Sequence, residues 1–250
     1  MRAHRPETAA SLPGDRPDAR WYSRSPEEVA EALEVHPATG LSGARAAELL
    51  SANGPNTLPE EDPTPGWRRF IDEYRSYMQI ILSVAAVVSL VIRQWNTAIL
   101  LILLTVFNAI VGLRQQGKAE SAMNALRSMM KPTARVRRDG VEAEISAEQV
   151  VVGDVVLIAA GDQVPADGRI IAASSLQIDE SALTGESTPA DKQAGALAGG
   201  ELAPGDQTNV AFMNTPVTHG SGVLVITATG AGTELGRISG MLTATAPEQS

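Results

Sequence analysis

The sequence predicts an α+β membrane protein: a transmembrane helical hairpin, a small β-rich domain and helices at the amino-terminal end. Three observations point there. Two uncharged apolar runs, Tyr77 to Ile92 and Thr97 to Leu113, are separated only by Arg93-Gln94-Trp95-Asn96. Downstream of them, short alternating segments are punctuated by turns rich in Gly, Pro and Asp. Upstream, two serines stand where helices start.

From Ser25 the amino-terminal pattern is helical. Ser25-Pro26-Glu27-Glu28 offers an N-cap, a proline at the first helical position and acids in the first turn. Val29, Leu33 and Val35 supply an apolar side. Ser42 opens a second helix over Ala46, Leu49 and Leu50, which Gly54-Pro55 stops. Before it, Met1 to Arg20 is broken by Pro6, Pro13 and Pro17, has no continuous apolar stretch and reads as a disordered leader without a signal peptide. Thr57 to Trp67, with three prolines (Pro59, Pro63, Pro65), is an extended connector.

Each apolar run falls slightly short of the ~20 residues that span a bilayer. Phe70, Ile71, Tyr74 and Trp95 extend them as amphipathic flanks. Arg68, Arg69 and Arg75 precede the first run, and Arg114, Lys118, Arg127 and Lys131 follow the second, with Arg93 alone in the connection. Positive charge stays cytoplasmic, so both ends of the hairpin are expected there, in an integral membrane protein whose first partner is the lipid bilayer. Buried helices of a soluble domain are the competing reading, which the adjacency, length and charge asymmetry of the runs oppose. Asn108, inside the second run, reads as a helix-packing amide.

Ala119 to Met130 continues as a helix as far as Pro132. Ala134 to Arg138 and Val141 to Ile145 then alternate about Asp139-Gly140, a hairpin signal. Further strands are expected at Val155–Ala159, Gly168–Ala172, Asn209–Met213 and Gly222–Thr229, and a helix over Gly232–Leu242.

Composition excludes several functions. The formal net charge of -9 opposes non-specific nucleic-acid binding, and few aromatics oppose base stacking. Without cysteine there is no disulfide, thiolate metal site or Cys-x-x-Cys chemistry. His4, His36 and His219 are too scattered to suggest a metal site. Gly112 to Ala119 imitates a phosphate loop but ends on Ala119, which has no hydroxyl, and follows an apolar helix rather than a strand. Gly230 to Gly236 misses the dinucleotide spacing by one and reads as a turn entering a helix. Asp154, Asp162 and Asp167 beside glycines read as turn chemistry. Asp179 and Glu180 could pair for acid–base work, but solvated or turn-capping acids are the preferred reading.

One ordered series of motifs remains. Val152-Gly153-Asp154-Val155-Val156 precedes Gly161-Asp162-Gln163-Val164-Pro165-Ala166-Asp167-Gly168-Arg169-Ile170, and Asp179 to Ser187, with Leu183-Thr184-Gly185-Glu186-Ser187-Thr188-Pro189, follows. The series resembles the actuator domain of P-type ATPases. Gly40-Leu41-Ser42 and Gly54 to Glu60 resemble the amino-terminal region of the calcium-pump-like branch, and Asn214 to Thr218 with Gly230 to Met241 resembles the exit toward the third membrane helix. On this resemblance residues 1–20 are a leader, 21–66 the amino-terminal helical region and 67–131 the membrane hairpin with cytoplasmic extensions (spans about 76–92 and 97–113). Residues 132–230 are the actuator domain and 231–250 the start of a stalk.

The resemblance implies that the chain is the amino-terminal part of an ATP-driven cation pump, in which an aspartate is phosphorylated and then hydrolysed. Glu186 is implied to position and activate the attacking water; Gly185 admits the phosphate, while Thr184 and Ser187 shape the loop. ATP and Mg2+ are implied for the complete enzyme and not for this chain, and an inorganic cation is the transported species. The phosphorylation motif Asp-Lys-Thr-Gly-Thr is missing; Asp191-Lys192-Gln193 shares only its first two letters. The implied partners are therefore phosphorylation and nucleotide domains and further membrane helices, and the chain alone is expected to be inactive. The alternative is a non-catalytic membrane-anchored remnant that binds or regulates an intact pump. Lack of Cys-x-x-Cys disfavours copper and zinc export, and the plasma-membrane proton pumps are the second choice of branch.

Overall fold

The computed structural model describes residues 20–58, 77–108, 110–111, 114 and 132–245. The leader up to residue 19, the connector beyond Leu58, the cationic residues Arg68, Arg69, Arg75, Lys118, Arg127 and Lys131, and the helix expected over Ala119–Met130 lie outside the described residues. So does the phosphate-loop look-alike, apart from Arg114. The chain divides into two compact units: one runs to Pro59 and resumes at Pro132, the other is Glu60–Lys131.

The first unit begins with the two expected helices. In α1 (Pro26–Ala32) the Ser25 hydroxyl accepts from the Glu28 amide while the Glu28 carboxylate accepts from the Ser25 amide, a reciprocal cap. In α2 (Gly43–Asn53) the Ser42 hydroxyl accepts from the Arg45 amide, and Gly54 ends the helix at φ 78°.

The second unit contains α3 (Tyr77–Val91) and α4 (residues 95–108). Arg93 adopts φ 61°, its amide donates to the Leu90 carbonyl and that of Gln94 to the Ser89 carbonyl, which closes α3 with a Schellman turn. The Gln94 carbonyl then accepts from Ala98, so α4 starts at Trp95, earlier than the apolar run suggested. Ile81, Val91, Leu100 and Phe107 are each at least 62% exposed, an unusual density of uncovered apolar side chains. Among the described residues no helix is long and apolar enough to cross a membrane. The 15 residues of α3 reach only about 22 Å, against the ~30 Å of a hydrocarbon core.

The first unit resumes as one antiparallel sheet. Its strands are β1 (Thr133–Arg138), β2 (Val141–Ser146), β3 (Val155–Ala159), β4 (Asp167–Ile178), β5 (Ala190–Asp191), β6 (Val210–Ala211) and β7 (Val217–Ala228). Their order is β2-β1-β3-β7-β4-β5, with β6 also beside β4. β1 and β2 meet at Asp139-Gly140, both at positive φ, in the turn the sequence signals. Between β4 and β5 lies a short helix, α5 (Ser181–Thr184), and α6 (Glu234–Thr245) follows β7.

Side-chain alternation sorts the core. Val156, Ile170, Leu224 and Ile226 face one cluster, whereas Val155 and Val225 face another that is completed by Val29, Leu41, Ala46 and Leu49 from the amino-terminal helices. Those helices therefore cover one face of the sheet. Backbone pairing fixes their approach: the Leu41 carbonyl accepts from the Asp139 amide, and the Thr39 carbonyl from Gly140. Gly40, at φ 69°, lies so close to β1 that a Cβ there would sit 1.7 Å from the Arg137 carbonyl oxygen. Buried Asn56 finishes the docking: its amide donates to the Ala147 and Pro165 carbonyls, and its Oδ1 accepts from Gly230.

Asp154 behaves as a turn acid, accepting from the Val151 amide, and Arg138 also grips it with two hydrogen bonds of 2.6 and 2.8 Å. Asp162 accepts from the Ala159 amide. Asp167 departs from the turn expectation. It is a strand residue whose carboxylate accepts from the amides of Met213 and Glu234, both at 2.7 Å, and so holds the first turn of α6 on the sheet. Thr233 caps the same helix end through the Gly236 amide, so Gly230 to Gly236 is the helix-entering turn expected. Burial pushes the Asp167 carboxyl up to about 6, against its two amide donors. Because the folded value lies above the ordinary 3.8, this group's contribution to stability is fully present below about pH 4 and lost as pH rises through 6. The stability of wild type minus that of Asp167→Asn should therefore fall between pH 4 and 6 and level off above 7. Denaturant melts across that range test it; a flat difference would contradict the assignment.

Candidate functional site

β4 delivers the chain to an exposed loop. Ile178 is its last paired residue, opposite Val217 of β7 and Ala190 of β5. The Asp179 amide then donates to the Pro216 carbonyl, and its carboxylate accepts from the Ser181 amide, which starts α5. Those hydrogen bonds to Ser181 hold the Asp179 carboxyl below its ordinary range. Asp179 is thus a capping acid and not half of an acid–base pair.

The turn is built around one carbonyl. Glu180 O accepts from the amides of Leu183 and Thr184 and from the Thr184 hydroxyl, at 2.9, 3.0 and 3.1 Å. The same hydroxyl accepts from the Glu186 amide at 3.2 Å, so Thr184 couples the base of the turn to its tip. Between them Gly185 adopts φ 78°, ψ -1°, the left-handed conformation that ends α5. A Cβ on Gly185 would meet nothing within 4 Å, so the requirement for glycine comes from the backbone angle alone.

A small apolar floor carries this turn. Leu183 and the partly buried Leu197 and Leu202 pack on Tyr22, Val210 and Phe212. Gly205, in a 3-10 turn at Pro204–Asp206, faces the Thr184 methyl, where a Cβ would lie 3.2 Å away. Above that floor Gly185, Glu186 and Ser187 are exposed. The structure thus places all four sequence-predicted residues in one turn and separates their situations. Thr184 is tied into the scaffold, and Glu186 forms no ion pair among the described residues and presents its carboxylate outward.

Such a carboxylate can accept a proton and orient a water, but among the described residues it has no reacting partner. Nor do three His, Asp or Glu side chains converge there to hold a metal ion. Among the described residues the turn therefore offers no ligand set that fits Mg2+.

Two features beneath the loop escaped the sequence reading. Arg169 is fully buried and donates to the carbonyls of Trp21, Arg24, Ala194, Gly195 and Asn209, at 2.8 to 3.2 Å, and of Ile170. Burial lowers the guanidinium to about 10, so it remains charged at neutral pH. Glu180 and Lys192 form a buried ion pair of 2.6 Å. Desolvation pushes the Glu180 carboxyl up and the Lys192 ammonium down, each opposed by the other. The Asp191-Lys192 dipeptide was the only signal for this pair, and it points there only once β5 is known to return beside β4.

Comparison with known proteins matches residues 128–243 to the P-type ATPase actuator domain and residues 21–89 to the amino-terminal domain of cation transporters and ATPases. Calcium-transporting ATPase 1 of Bacillus cereus is 39% identical over 228 residues, 90% of this chain and 26% of the relative. Probable cation-transporting ATPase F of Mycobacterium tuberculosis is 42% identical over 211 residues, 84% of this chain and 23% of the relative. Cation-transporting ATPase pma1 of Synechocystis is 36% identical over 218 residues, 87% and 24% respectively. The chain spans about a quarter of the length of these relatives.

Gly185→Ala should cost about 1 kcal/mol, the left-handed penalty without a clash, and Gly185→Asn distinctly less. Thermal unfolding of the two variants measures this, and equal melting temperatures would show that the turn does not hold Gly185 at positive φ.

Proposed function

Because the chain carries the actuator and amino-terminal domains of the P-type cation-transporting ATPases, we propose that its Thr184–Ser187 turn promotes hydrolysis of an aspartyl phosphate held on a separate domain. The observation that carries this reading is Glu186: an exposed carboxylate beside a left-handed glycine, on a turn braced from below by Thr184.

Gly185 leaves the turn open on its outer side, so a phosphoryl group can come close to the backbone. Glu186 then holds a water in line with phosphorus and accepts its proton as the water oxygen bonds to phosphorus. The bond from phosphorus to the aspartyl oxygen breaks, leaving an aspartate carboxylate and inorganic phosphate. Thr184 keeps the Glu186 amide and the turn in register, and the exposed Ser187 offers its hydroxyl to the incoming domain.

The rest of the proposal follows the family. The uncovered apolar surfaces of α3 and α4 support a membrane hairpin, with Arg114 on the cytoplasmic side. ATP and Mg2+ would be bound by other domains of a complete pump of this family. The names of the relatives support an inorganic cation, with calcium the first choice, as the transported species.

In a complete pump containing this chain, Glu186→Gln should let phosphoenzyme form at the normal rate and slow its decay by at least about 100-fold, the usual scale of a general base. A chase of labelled phosphoenzyme reads both rates. Normal decay in Glu186→Gln would overturn the hydrolytic role and leave a non-catalytic module as the better reading.

A further inference from the structure

The geometry points to Glu180 and Lys192 as positioning residues: a buried ionic clasp that closes the base of the catalytic turn and fixes how Glu186 is presented. This inference rests on the hydrolytic reading above for its consequence, but its structural basis is independent of it.

The two residues stand at opposite feet of the loop. Glu180 lies just past the end of β4, on the loop side of the ladder, and Lys192 just past β5, on its far side; the return of β5 is secured by Gln177 with Asp191, Ile178 with Ala190 and the Lys192 amide on the Leu176 carbonyl. So short a ladder is a weak hinge for an exposed loop. The ion pair adds a side-chain fastening that runs along this ladder from Lys192 to the foot of the loop at Glu180. Its carboxylate and ammonium side chains are 3% and 0% exposed, and the Nζ–Oε1 distance is 2.6 Å.

Both partners are anchored elsewhere. The Lys192 amide donates to the Leu176 carbonyl, its Nζ reaches the Gln207 carbonyl at 3.4 Å, and the ammonium lies 5.7 Å from the centre of the Phe212 ring. Glu180 is the residue whose carbonyl collects the three donors of the turn. Locking its side chain therefore locks the carbonyl on which Leu183 and Thr184 hang, and through the Thr184 hydroxyl the amide of Glu186.

Energetics separate this from simple core stabilisation. A buried pair contributes little relative to a neutral pair of similar shape, whereas losing one partner strands a charge without water. Among the described residues Oε2 of Glu180 has no hydrogen-bond partner, so the carboxylate depends on Lys192 for its compensation. Removing either charge should therefore open the loop toward solvent, and removing both should relieve that drive.

Hydrogen exchange on the full chain in detergent micelles tests the clasp. Glu180→Gln and Lys192→Met should each speed exchange of the Leu183, Thr184 and Gly185 amides at least about tenfold, with the β7 amides of Leu224 to Ile226 unchanged. The double variant should return to within about threefold of wild type. Wild-type rates in the single variants, uniform acceleration through β4 and β7, or a double variant equal to the product of the singles would each overturn the clasp. In the complete pump, Glu180→Gln should slow phosphoenzyme decay about tenfold with formation unchanged. If Glu186→Gln blocks decay and Glu180→Gln leaves it normal, the positioning role falls alone; if Glu186→Gln itself decays normally, the hydrolytic reading falls and the positioning role with it.

Discussion

A guanidinium with no exposed surface organises the β-sheet unit of this chain. Arg169 has no exposed surface and forms no ion pair among the described residues; its N–H groups point at backbone carbonyls from three separate stretches of chain. Burying a charge is unfavourable by several kcal/mol unless its hydrogen bonds are replaced. Here the replacement comes from Trp21 and Arg24 ahead of the first helix, from Ala194 and Gly195 after the Thr184–Ser187 turn, and from Asn209 just before β6. These segments have to meet where the charge lies. Asn209 reinforces the same junction, its amide donating to the Tyr22 and Gly195 carbonyls.

That junction explains how an irregular segment supports the turn. The stretch from Lys192 to Gln207 has little regular structure, yet it supplies Leu197, Leu202 and Gly205 to the floor under α5. It is held at one end by Arg169 and Lys192 and in the middle by Tyr22, whose hydroxyl donates to the Gly200 carbonyl and accepts from the Leu202 amide. Two buried cations thus take opposite routes to compensation, Arg169 through carbonyl dipoles and Lys192 through a carboxylate. The first frames the site; the second closes it.

Local signals were legible in the sequence and long-range ones were not. Ser25, Ser42 and Asp139-Gly140 announce their caps and turn because each is satisfied within a few residues. β4 and β7 are longer than their patterns suggest, since Ala172 to Ser175 and Thr218 to Ser221 are largely exposed and do not alternate; their pairing with each other makes them strands. The expected strand at Asn209–Met213 shrinks to Val210–Ala211, because Asn209 and Met213 are used to bind Tyr22 and Asp167. The four residues of the turn could be named from their motif, but the partners that hold them, Arg169, Tyr22, Glu180 and Lys192, come together only through the sheet. In Asp167-Gly168-Arg169 the two charged side chains look in sequence like a turn, and in the structure one caps a helix while the other gathers the amino-terminal segment.

The position of the turn tip in the phosphorylated and dephosphorylated states tests the hydrolytic role of Glu186 most directly. A photo-reactive benzoyl-phenylalanine at position 186, exposed and beside open space, can be introduced into a complete pump containing this chain. Irradiation of the phosphorylated state should cross-link it to the peptide that bears the phosphorylated aspartate, and irradiation of the dephosphorylated, ATP-bound state should not. Cross-links to any other segment, or the same yield in both states, would contradict the assignment of Glu186 to phosphoenzyme hydrolysis.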